Sequence, residues 1–346
     1  MRQAGLYDPA FEKDSCGFGL IAQLDDKPSR SIVSAALEAL SRMTHRGAVA
    51  ADGMSGDGCG LLMRRPEAFL RRIAAESQIA LTDTFASGIV FLPHDALAAN
   101  SARAQIESET RAAGLEFLGW RVVPVDTSAC GPEADRTRPE IVQVFIGARD
   151  DTDAPAFERA LYQLRRRCEM ALSDVRDFYI ISLSAHVLAY KGMVMPAYLP
   201  KFYLDLARPE LASSACVFHQ RFSTNTMPRW PLAQPFRLLA HNGEINSIQG
   251  NRNWMRARGP RFRSPLVDYR ELQPVVSMEG SDSQTLDNML EALLVGGMDL
   301  LHAMRVLIPP AWRDREDLDS DIKAFYEYYQ LHMEPWDGPA GIVMLD

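Results

Sequence analysis

The sequence predicts an α+β protein in which antiparallel sheets are covered by helices. Short apolar runs rich in β-branched and aromatic residues recur along the chain and end at Gly, Pro, Asn or Asp, which is typical of strands. Between residues 178 and 240, the connections between successive runs are too short for crossover helices, which favours antiparallel pairing. Helical patterns before and after these runs indicate separate layers of helix and sheet.

The strand prediction covers nine segments, each a short apolar run bounded by turn-forming residues. They are residues 16–23, 88–92, 141–146, 178–183, 187–190, 202–206, 216–222, 236–240 and 341–345. The last run stops beside residue 346, where we expect a strand to enter a hairpin. We therefore expect a domain that is truncated at its C-terminus.

Helices are predicted where apolar residues recur every three to four positions. In residues 31–43, for example, the side chains of Val33, Leu37 and Leu40 share one helical face. The other predicted helices are residues 66–76, 95–113, 155–172, 281–294 and 317–330.

Composition excludes several classes of protein. Of the 346 residues, 47% are apolar and 24% charged, which is ordinary for a chain that folds around a core. Lys and Arg total 37 against 45 Asp and Glu, and the net charge of −8 disfavours a nucleic-acid-binding surface. No apolar stretch has the length of a membrane helix, and residues 1–15 lack the apolar core of a secretory signal. We expect a cytoplasmic protein without nucleic-acid or membrane partners.

The cysteine pattern predicts free thiols. There are five cysteines with wide, irregular spacing and no CxxC pair: Cys16, Cys59, Cys130, Cys168 and Cys216. This pattern supports neither a metal site nor a redox pair, and it suits a reducing compartment. Most of these residues, including Cys59, should be small buried side chains.

Cys16 is the cysteine whose surroundings indicate a nucleophile. It opens a predicted strand, and Gly17 beside it lets a substrate approach the backbone. Cleavage after Ser15 would free an α-amino group on Cys16. Such a group has a pKa of about 7.7–8.0, which suits a general base at neutral pH. The alternative interpretation is a buried structural cysteine at the start of a strand.

Three later motifs supply what a nucleophile acting on an amino acid needs. Arg221 follows a predicted strand and can bind a carboxylate through two parallel hydrogen bonds. Asn242 and Gly243 offer a side-chain amide and a backbone N–H as an oxyanion hole, and Asp282 offers a carboxylate for an ammonium group. Alone, the arginine could form a surface salt bridge, the Asn-Gly pair a type I′ turn and the aspartate a helix cap. Together they predict a site for an α-amino acid with a reactive side-chain carbonyl.

At these residues the sequence resembles the amino-terminal glutaminase domains of glutamate synthase large subunits. Those domains are class II glutamine amidotransferases of the N-terminal-nucleophile hydrolase superfamily. The resemblance extends over nearly the whole chain and rests on an ordered series of motifs. They are CGFG at residue 16, THRGA at 44, SGDG at 55, HQRFSTNT at 219, WPLAQPF at 230, HNGEINSIQGNRNW at 241, GSDSQTLDN at 280 and MEPWDGPA at 333.

The resemblance implies a four-layer αββα sandwich of two stacked antiparallel sheets. It also implies that residues 1–15 are a leader whose removal exposes Cys16, and that residues 16–346 form the amidotransferase domain. By analogy, the Cys16 thiolate attacks the amide carbon of L-glutamine while its own α-amine carries the proton. Ammonia leaves, and water hydrolyses the γ-glutamyl thioester to glutamate.

The resemblance assigns substrate contacts to the motif residues. Asn242 and Gly243 would stabilise the oxyanion in both steps. Arg221, helped by Thr224, would bind the α-carboxylate of glutamine, and Asp282 would bind its α-amino group.

The resemblance also places a loop beside the nucleophile. In that loop Gly47 would lie against the substrate, and Arg46 would reduce the cost of negative charge on the thiolate and the oxyanion. His219 and His241 lie in the motifs, but the mechanism needs no imidazole. We therefore expect both histidines to give hydrogen-bonding support.

In the family, ammonia passes to a second site that aminates and reduces 2-oxoglutarate with FMN and an iron–sulfur cluster. We expect neither FMN nor metal in this chain. The expected partners are L-glutamine and a synthase domain, either in the same polypeptide or in a separate subunit. Two alternatives remain open. The first is a class II amidotransferase that serves nucleotide, amino-sugar or asparagine synthesis, and the second is an unprocessed glutamine-binding regulatory module without turnover.

Overall fold

The computed structural model describes residues 17–149, 152–223 and 226–345. Its strands are β1 (Gly17–Ala22), β2 (Ser55–Arg64), β3 (Phe85–Leu92), β4 (Glu116–Val122), β5 (Glu140–Gly147), β6 (Tyr179–Ile180), β7 (Val187–Val194), β8 (Ala215–Gln220), β9 (Leu239–Gly243) and β10 (Ala340–Met344). Its helices are α1 (Arg30–Arg42), α2 (Glu67–Glu76), α3 (Ala96–Ala112), α4 (Pro132–Asp135), α5 (Ala154–Ala171), α6 (Leu199–Phe202), α7 (Leu204–Ala207), α8 (Ile248–Arg258), α9 (Asp282–Val295), α10 (Leu300–Leu307) and α11 (Ser320–Gln330).

Two four-stranded sheets form the centre of the structure. The first has the strand order β1-β8-β2-β7 and the second β4-β5-β3-β6, and all the pairings are antiparallel. A separate antiparallel pair joins β9 to β10. The predicted antiparallel pairing is confirmed, but the pairing partners differ from those expected. Strands β6 to β9 follow one another in the chain, yet none of them pairs with the next.

Helices cover the two sheets and give the four-layer αββα order. Successive side chains of a strand point to opposite faces. Along β3, Phe85 and Ile89 pack with residues of the first sheet, whereas Ala86 and Val90 pack beneath α3 and α5. On the first sheet, α1 packs against β1 and β8. The fold class predicted from the sequence is therefore confirmed.

A third apolar core lies beside the sandwich. It joins α8, α9 and α10 to β9 through buried residues such as Leu239, Ile245, Leu286 and Met289. Helix α9 also contacts α5 and β9. This core brings the N-terminus of α9 next to the end of β9.

The predicted strand at residues 202–206 is wrong, because the chain there forms the helical turns α6 and α7. Phe202, Tyr203 and Leu206 are fully buried, whereas Leu204 is 43% exposed. The spacing of the three buried residues fits one face of a helix better than the two-residue period of a strand. Asp205, which interrupts the apolar run, is also buried.

No pattern in the sequence predicted β2, β4, α4, α8 or α10, and the predicted start of β9 is too early. The first half of β2 is rich in glycine, which predicts a loop, but a Cβ on Gly60 would lie 2.6 Å from Cβ of Lys191. Glycine therefore allows a close approach of β7. Where β9 begins, Leu238 and Leu239 donate their N–H groups to the carboxylate of Asp287, while β10 pairs with Leu239.

A buried ion pair joins the second sheet to α7, and a tyrosine of the first sheet binds the same carboxylate. Arg121 on β4 donates to both carboxylate oxygens of Asp205, at 2.8 and 2.7 Å, and Tyr190 on β7 donates to the same carboxylate at 3.1 Å. The side chain of Asp205 is 0% exposed and that of Arg121 is 9% exposed. Removing one partner would leave the other charge buried without compensation, which is strongly destabilising.

We predict that Asp205→Asn lowers the free energy of unfolding by roughly 3–5 kcal/mol, because the Arg121 guanidinium loses its counter-charge. Urea denaturation of the purified protein measures this difference. Asp268→Asn is the matched control, since Asp268 binds Arg270 on the surface. The control should leave the denaturation midpoint unchanged. Equal midpoints for both variants would contradict the assignment.

Candidate active site

The start of β1 and the end of β8 lie side by side at one end of the first sheet. Gly17 is paired with Gln220, the last residue of β8. Arg221 follows directly, and its N–H donates to the carbonyl of Gly58 at 2.9 Å. Cys16, the predicted nucleophile, lies outside the described residues, but a peptide bond joins it to Gly17. Gly17, the residue after Cys16, is therefore paired with Gln220, the residue before Arg221.

The loop that carries Arg46 and Gly47 packs against these strand ends. A Cβ on Gly17 would lie 3.4 Å from Cγ of Arg46, so Arg46 contacts the start of β1. A Cβ on Gly47 would lie 1.6 Å from Nε2 of Gln220, an overlap that only glycine avoids. Arg46 and Gly47 are thus placed beside the residue that follows Cys16.

A cleft of about 370 Å³ opens beyond the end of β8. Three predicted site residues line it: Arg221, Gly243 and Asp282. They come from the segment after β8, the end of β9 and the first turn of α9, respectively. The structure therefore brings together the predicted carboxylate-binding, oxyanion-binding and ammonium-binding groups.

Other predicted site residues lie elsewhere or are not described. Asn242 lies next to Gly243 in β9 but does not line the cleft. Arg46 and Gly47 lie beside the strand ends of β1 and β8 and do not line the cleft either. Thr224 lies outside the described residues, so its predicted contact with the substrate stays a prediction.

Arg221 is held at the wall of the cleft. Its side chain is buried, and its Nη2 donates to Oγ1 of Thr226 at 2.5 Å. The backbone two residues later is fixed as well, because the N–H of Ser223 donates to Oδ2 of Asp57 at 2.5 Å. Thr226 is a contact that the sequence analysis did not identify, although it lies in the same motif as Thr224.

The Asn242–Gly243 pair ends a strand and does not form a hairpin turn. Asn242 is paired with Gly341, and Gly243 with Ala340, in the ladder between β9 and β10. Gly243 has φ +126°, and a Cβ there would lie 1.9 Å from the carbonyl oxygen of Pro339. Only glycine fits this backbone. The type I′ turn considered from the sequence is therefore wrong.

Asp282 lies at the first position of α9, and its carboxylate joins the helix to the end of β9. Oδ2 accepts a hydrogen bond from the N–H of Ile245 at 2.9 Å, and Oδ1 accepts one from the N–H of Ser283 at 2.7 Å. Asp282 was considered from the sequence as the cap of this helix, but the cap is Ser281. The Ser281 hydroxyl accepts a hydrogen bond from the N–H of Gln284. The half-buried Asp282 carboxylate faces the cleft that also contains Arg221.

Two histidines of the motifs are buried behind the cleft. Burial lowers the pKa of His219 to about 3 and also lowers the pKa of His241. Both imidazoles are therefore uncharged at neutral pH. Nε2 of His219 lies 3.1 Å from the carbonyl oxygen of His241, which can only accept, so this nitrogen carries a proton.

The described cysteines are poor nucleophiles. Cys59, Cys130, Cys168 and Cys216 are all buried free thiols. Burial raises the pKa of each thiol, to about 12 for Cys130 and Cys216. The Cys59 thiol donates to the carbonyl of Val194 at 3.1 Å. Because the thiolate is the reactive species, none of these four is activated for attack.

Among the polar cleft residues that the sequence analysis did not identify are Gln234, Arg252 and Ser283. Arg252 donates to the carbonyl of Gly280 in the turn before α9. Gln234 and Ser283 are 49 positions apart, and their side chains meet at 3.3 Å. All three lie in motifs that the sequence analysis recognised, but only the folded chain shows that they converge.

Residues 17–149, 152–223 and 226–345 contain neither a metal-binding cluster nor a membrane-spanning helix. This part of the chain holds no group of three or more His, Cys, Asp or Glu side chains arranged to bind a metal ion. None of its helices combines the length and apolar composition that a bilayer span needs.

Comparison with known proteins agrees with this geometry. Residues 16–346 match the family of class-II glutamine amidotransferases. The chain is 42% and 40% identical to the glutamate synthase (NADPH) large chains of Azospirillum brasilense and Bacillus subtilis, over 99% of its length. It is 41% identical, over 100% of its length, to the chloroplastic ferredoxin-dependent glutamate synthase of Oryza sativa subsp. japonica.

The chain spans only 23%, 23% and 22% of these three relatives, respectively. The family match, however, covers nearly all of the present sequence and includes all three cleft residues predicted from its motifs. The chain belongs to the class-II glutamine amidotransferases.

Proposed function

We propose that this domain hydrolyses L-glutamine to glutamate and ammonia, with Cys16 as the nucleophile. The observation that carries the proposal is the single cleft lined by Arg221, Gly243 and Asp282. It opens at the end of β8, and β8 pairs with the strand that begins at Gly17. Family membership supports glutamine as the substrate.

The charges of the cleft match the two ends of an α-amino acid. The Arg221 guanidinium can bind the α-carboxylate through charge-assisted hydrogen bonds. The Asp282 carboxylate is available for the α-ammonium group. These contacts would leave the side-chain amide of glutamine to reach Cys16, as proximity and orientation require.

The reaction would run through a thioester. The Cys16 thiolate attacks the amide carbon, and the amide oxygen becomes an oxyanion. The N–H of Gly243 and the side chain of Asn242 would stabilise it, each contributing roughly 2.7–4 kcal/mol. Ammonia leaves with a proton carried by the α-amine of Cys16, and water then hydrolyses the thioester to glutamate. Arg46, beside Gly17, would favour the thiolate through its positive charge.

We propose that residues 1–15 are a leader and that the mature domain begins at Cys16. The family match supports this division, because it begins at residue 16. A free α-amino group on Cys16 can act as the base only after such a cleavage. With the leader attached, the chain would lack the base and match the alternative of a binding module without turnover.

We further propose that the ammonia serves reductive amination of 2-oxoglutarate by a synthase domain, in a longer polypeptide or in a separate subunit. Similarity to glutamate synthase large chains supports this acceptor over those of nucleotide, amino-sugar or asparagine synthesis. FMN and an iron–sulfur cluster would belong to that synthase part. The residues described here do not fit a cluster, since its iron needs several neighbouring thiolates and Cys59, Cys130, Cys168 and Cys216 form no such group.

Replacing Cys16 with Ala should lower glutamate release from glutamine by roughly 10³-fold or more, because the bond-forming sulfur is lost. A coupled glutamate assay on the purified chain measures the rate. Cys59→Ala is the matched control, since it removes a buried thiol without touching the cleft, and it should keep the turnover of the wild type. Wild-type turnover in the Cys16 variant would show that the nucleophile is misassigned.

Substrate recognition can be tested by pairing variants with truncated substrates. Arg221→Lys should lower kcat/KM for glutamine by roughly 10- to 100-fold, because the charge stays but the two-pronged donor is lost. The same variant should affect 4-aminobutanamide, which lacks the α-carboxylate, far less. Asp282→Asn should behave in the same way toward glutaric acid monoamide, which lacks the α-amino group. Uniform losses on all three substrates would indicate structural damage and contradict the assigned contacts.

A further inference from the structure

On the edge of β9 that does not pair with β10, a glutamine side chain takes the place of a neighbouring strand. β10 pairs with one edge of β9, and the side-chain amide of Gln234 bonds to the backbone of His241. Oε1 of Gln234 accepts from the N–H of His241 at 2.8 Å, and Nε2 donates to its carbonyl oxygen at 3.2 Å. Gln234 therefore acts like one residue of an extra strand, and it binds the residue that precedes Asn242 and Gly243.

Ser283 links this arrangement to α9. Its hydroxyl oxygen lies 2.8 Å from Nδ1 of His241 and accepts from Nε2 of Gln234 at 3.3 Å. The same hydroxyl donates to Oδ1 of Asp282 at 3.2 Å. Since its one proton is directed to the carboxylate, the hydroxyl accepts from the Nδ1–H of His241.

Gln234, His241 and Ser283 form a hydrogen-bonded group that is almost fully buried. All three residues are at least 95% buried, and all three line the floor of the cleft. His241 is uncharged at neutral pH, so the group can lie in the interior without a counter-ion. Its bonds run without a gap from the end of β9 to the carboxylate of Asp282.

We propose that Gln234 and Ser283 are positioning residues for the glutaminase reaction. Gln234 fixes the position of the His241 backbone, which precedes the oxyanion donors Asn242 and Gly243. Ser283 links β9 to Asp282 through hydrogen bonds. The inference rests on the proposed function. It adds that recognition of the α-ammonium group and stabilisation of the oxyanion are coupled through one chain of hydrogen bonds.

The test compares Gln234→Met and Ser283→Ala with the wild-type chain in a glutaminase assay. Gln234→Met keeps the side-chain volume but removes both amide bonds, and it should lower kcat by roughly 10- to 100-fold by displacing the oxyanion donors. Its KM should stay within about threefold, because the charged substrate contacts remain. Ser283→Ala should both raise KM and lower kcat, each by roughly three- to tenfold. The hydroxyl that it removes bonds to Asp282 on one side and to His241 on β9 on the other.

The second sheet offers a matched control pair. Gln143 on β5 donates from Nε2 to the hydroxyl of Ser87 on β3 at 2.8 Å, and both residues are buried away from the cleft. Gln143→Met and Ser87→Ala remove the same chemical groups there. They should lower the thermal midpoint but leave kcat and KM per folded molecule unchanged.

The outcomes separate the two hypotheses. If Gln234→Met and Ser283→Ala change only stability, as the controls do, the positioning role is wrong while the glutaminase function stands. If the wild-type chain with a free Cys16 releases no glutamate, the proposed function fails and the positioning role fails with it.

Discussion

The position of β8 between β1 and β2 is the constraint on which the rest of the structure depends. Its register sets Gly17 opposite Gln220 and so brings the residue after Cys16 beside the residue before Arg221. A slip of one residue would turn every side chain of the strand to the other face of the sheet. Gly47 packs closely on the Gln220 side chain, a contact that depends on the face to which Gln220 points.

The rest of the cleft comes from outside this sheet. The third core packs α9 on β9 and thereby places Asp282 next to the backbone after Gly243. The cleft thus joins parts of the fold that are far apart in sequence, and each part brings a different kind of group. A guanidinium and a carboxylate in one cleft favour a zwitterionic substrate over a simple amide, which agrees with membership of the amidotransferase family.

Sequence patterns predicted the parts of this structure that depend on local periodicity or on a complete motif. The helix at 31–43 followed from apolar spacing, the antiparallel pairing from short connections, and three cleft residues from motifs. The glycine-rich start of β2 was missed, because its strand character comes from the neighbours β7 and β8. Gln234 and Ser283 were missed for the same physical reason: their roles come from a contact between residues 49 positions apart, which no spacing in the chain encodes.

The most direct test of Cys16 as an N-terminal nucleophile is mass spectrometry of the protein after reaction with a chloroketone analogue of glutamine. We expect one adduct, on the sulfur of Cys16, in a chain that begins at that residue. Excess L-glutamine should slow its formation. An adduct on Cys59 or another internal cysteine, or equally fast labelling of Cys16 in a chain that keeps residues 1–15, would contradict the mechanism.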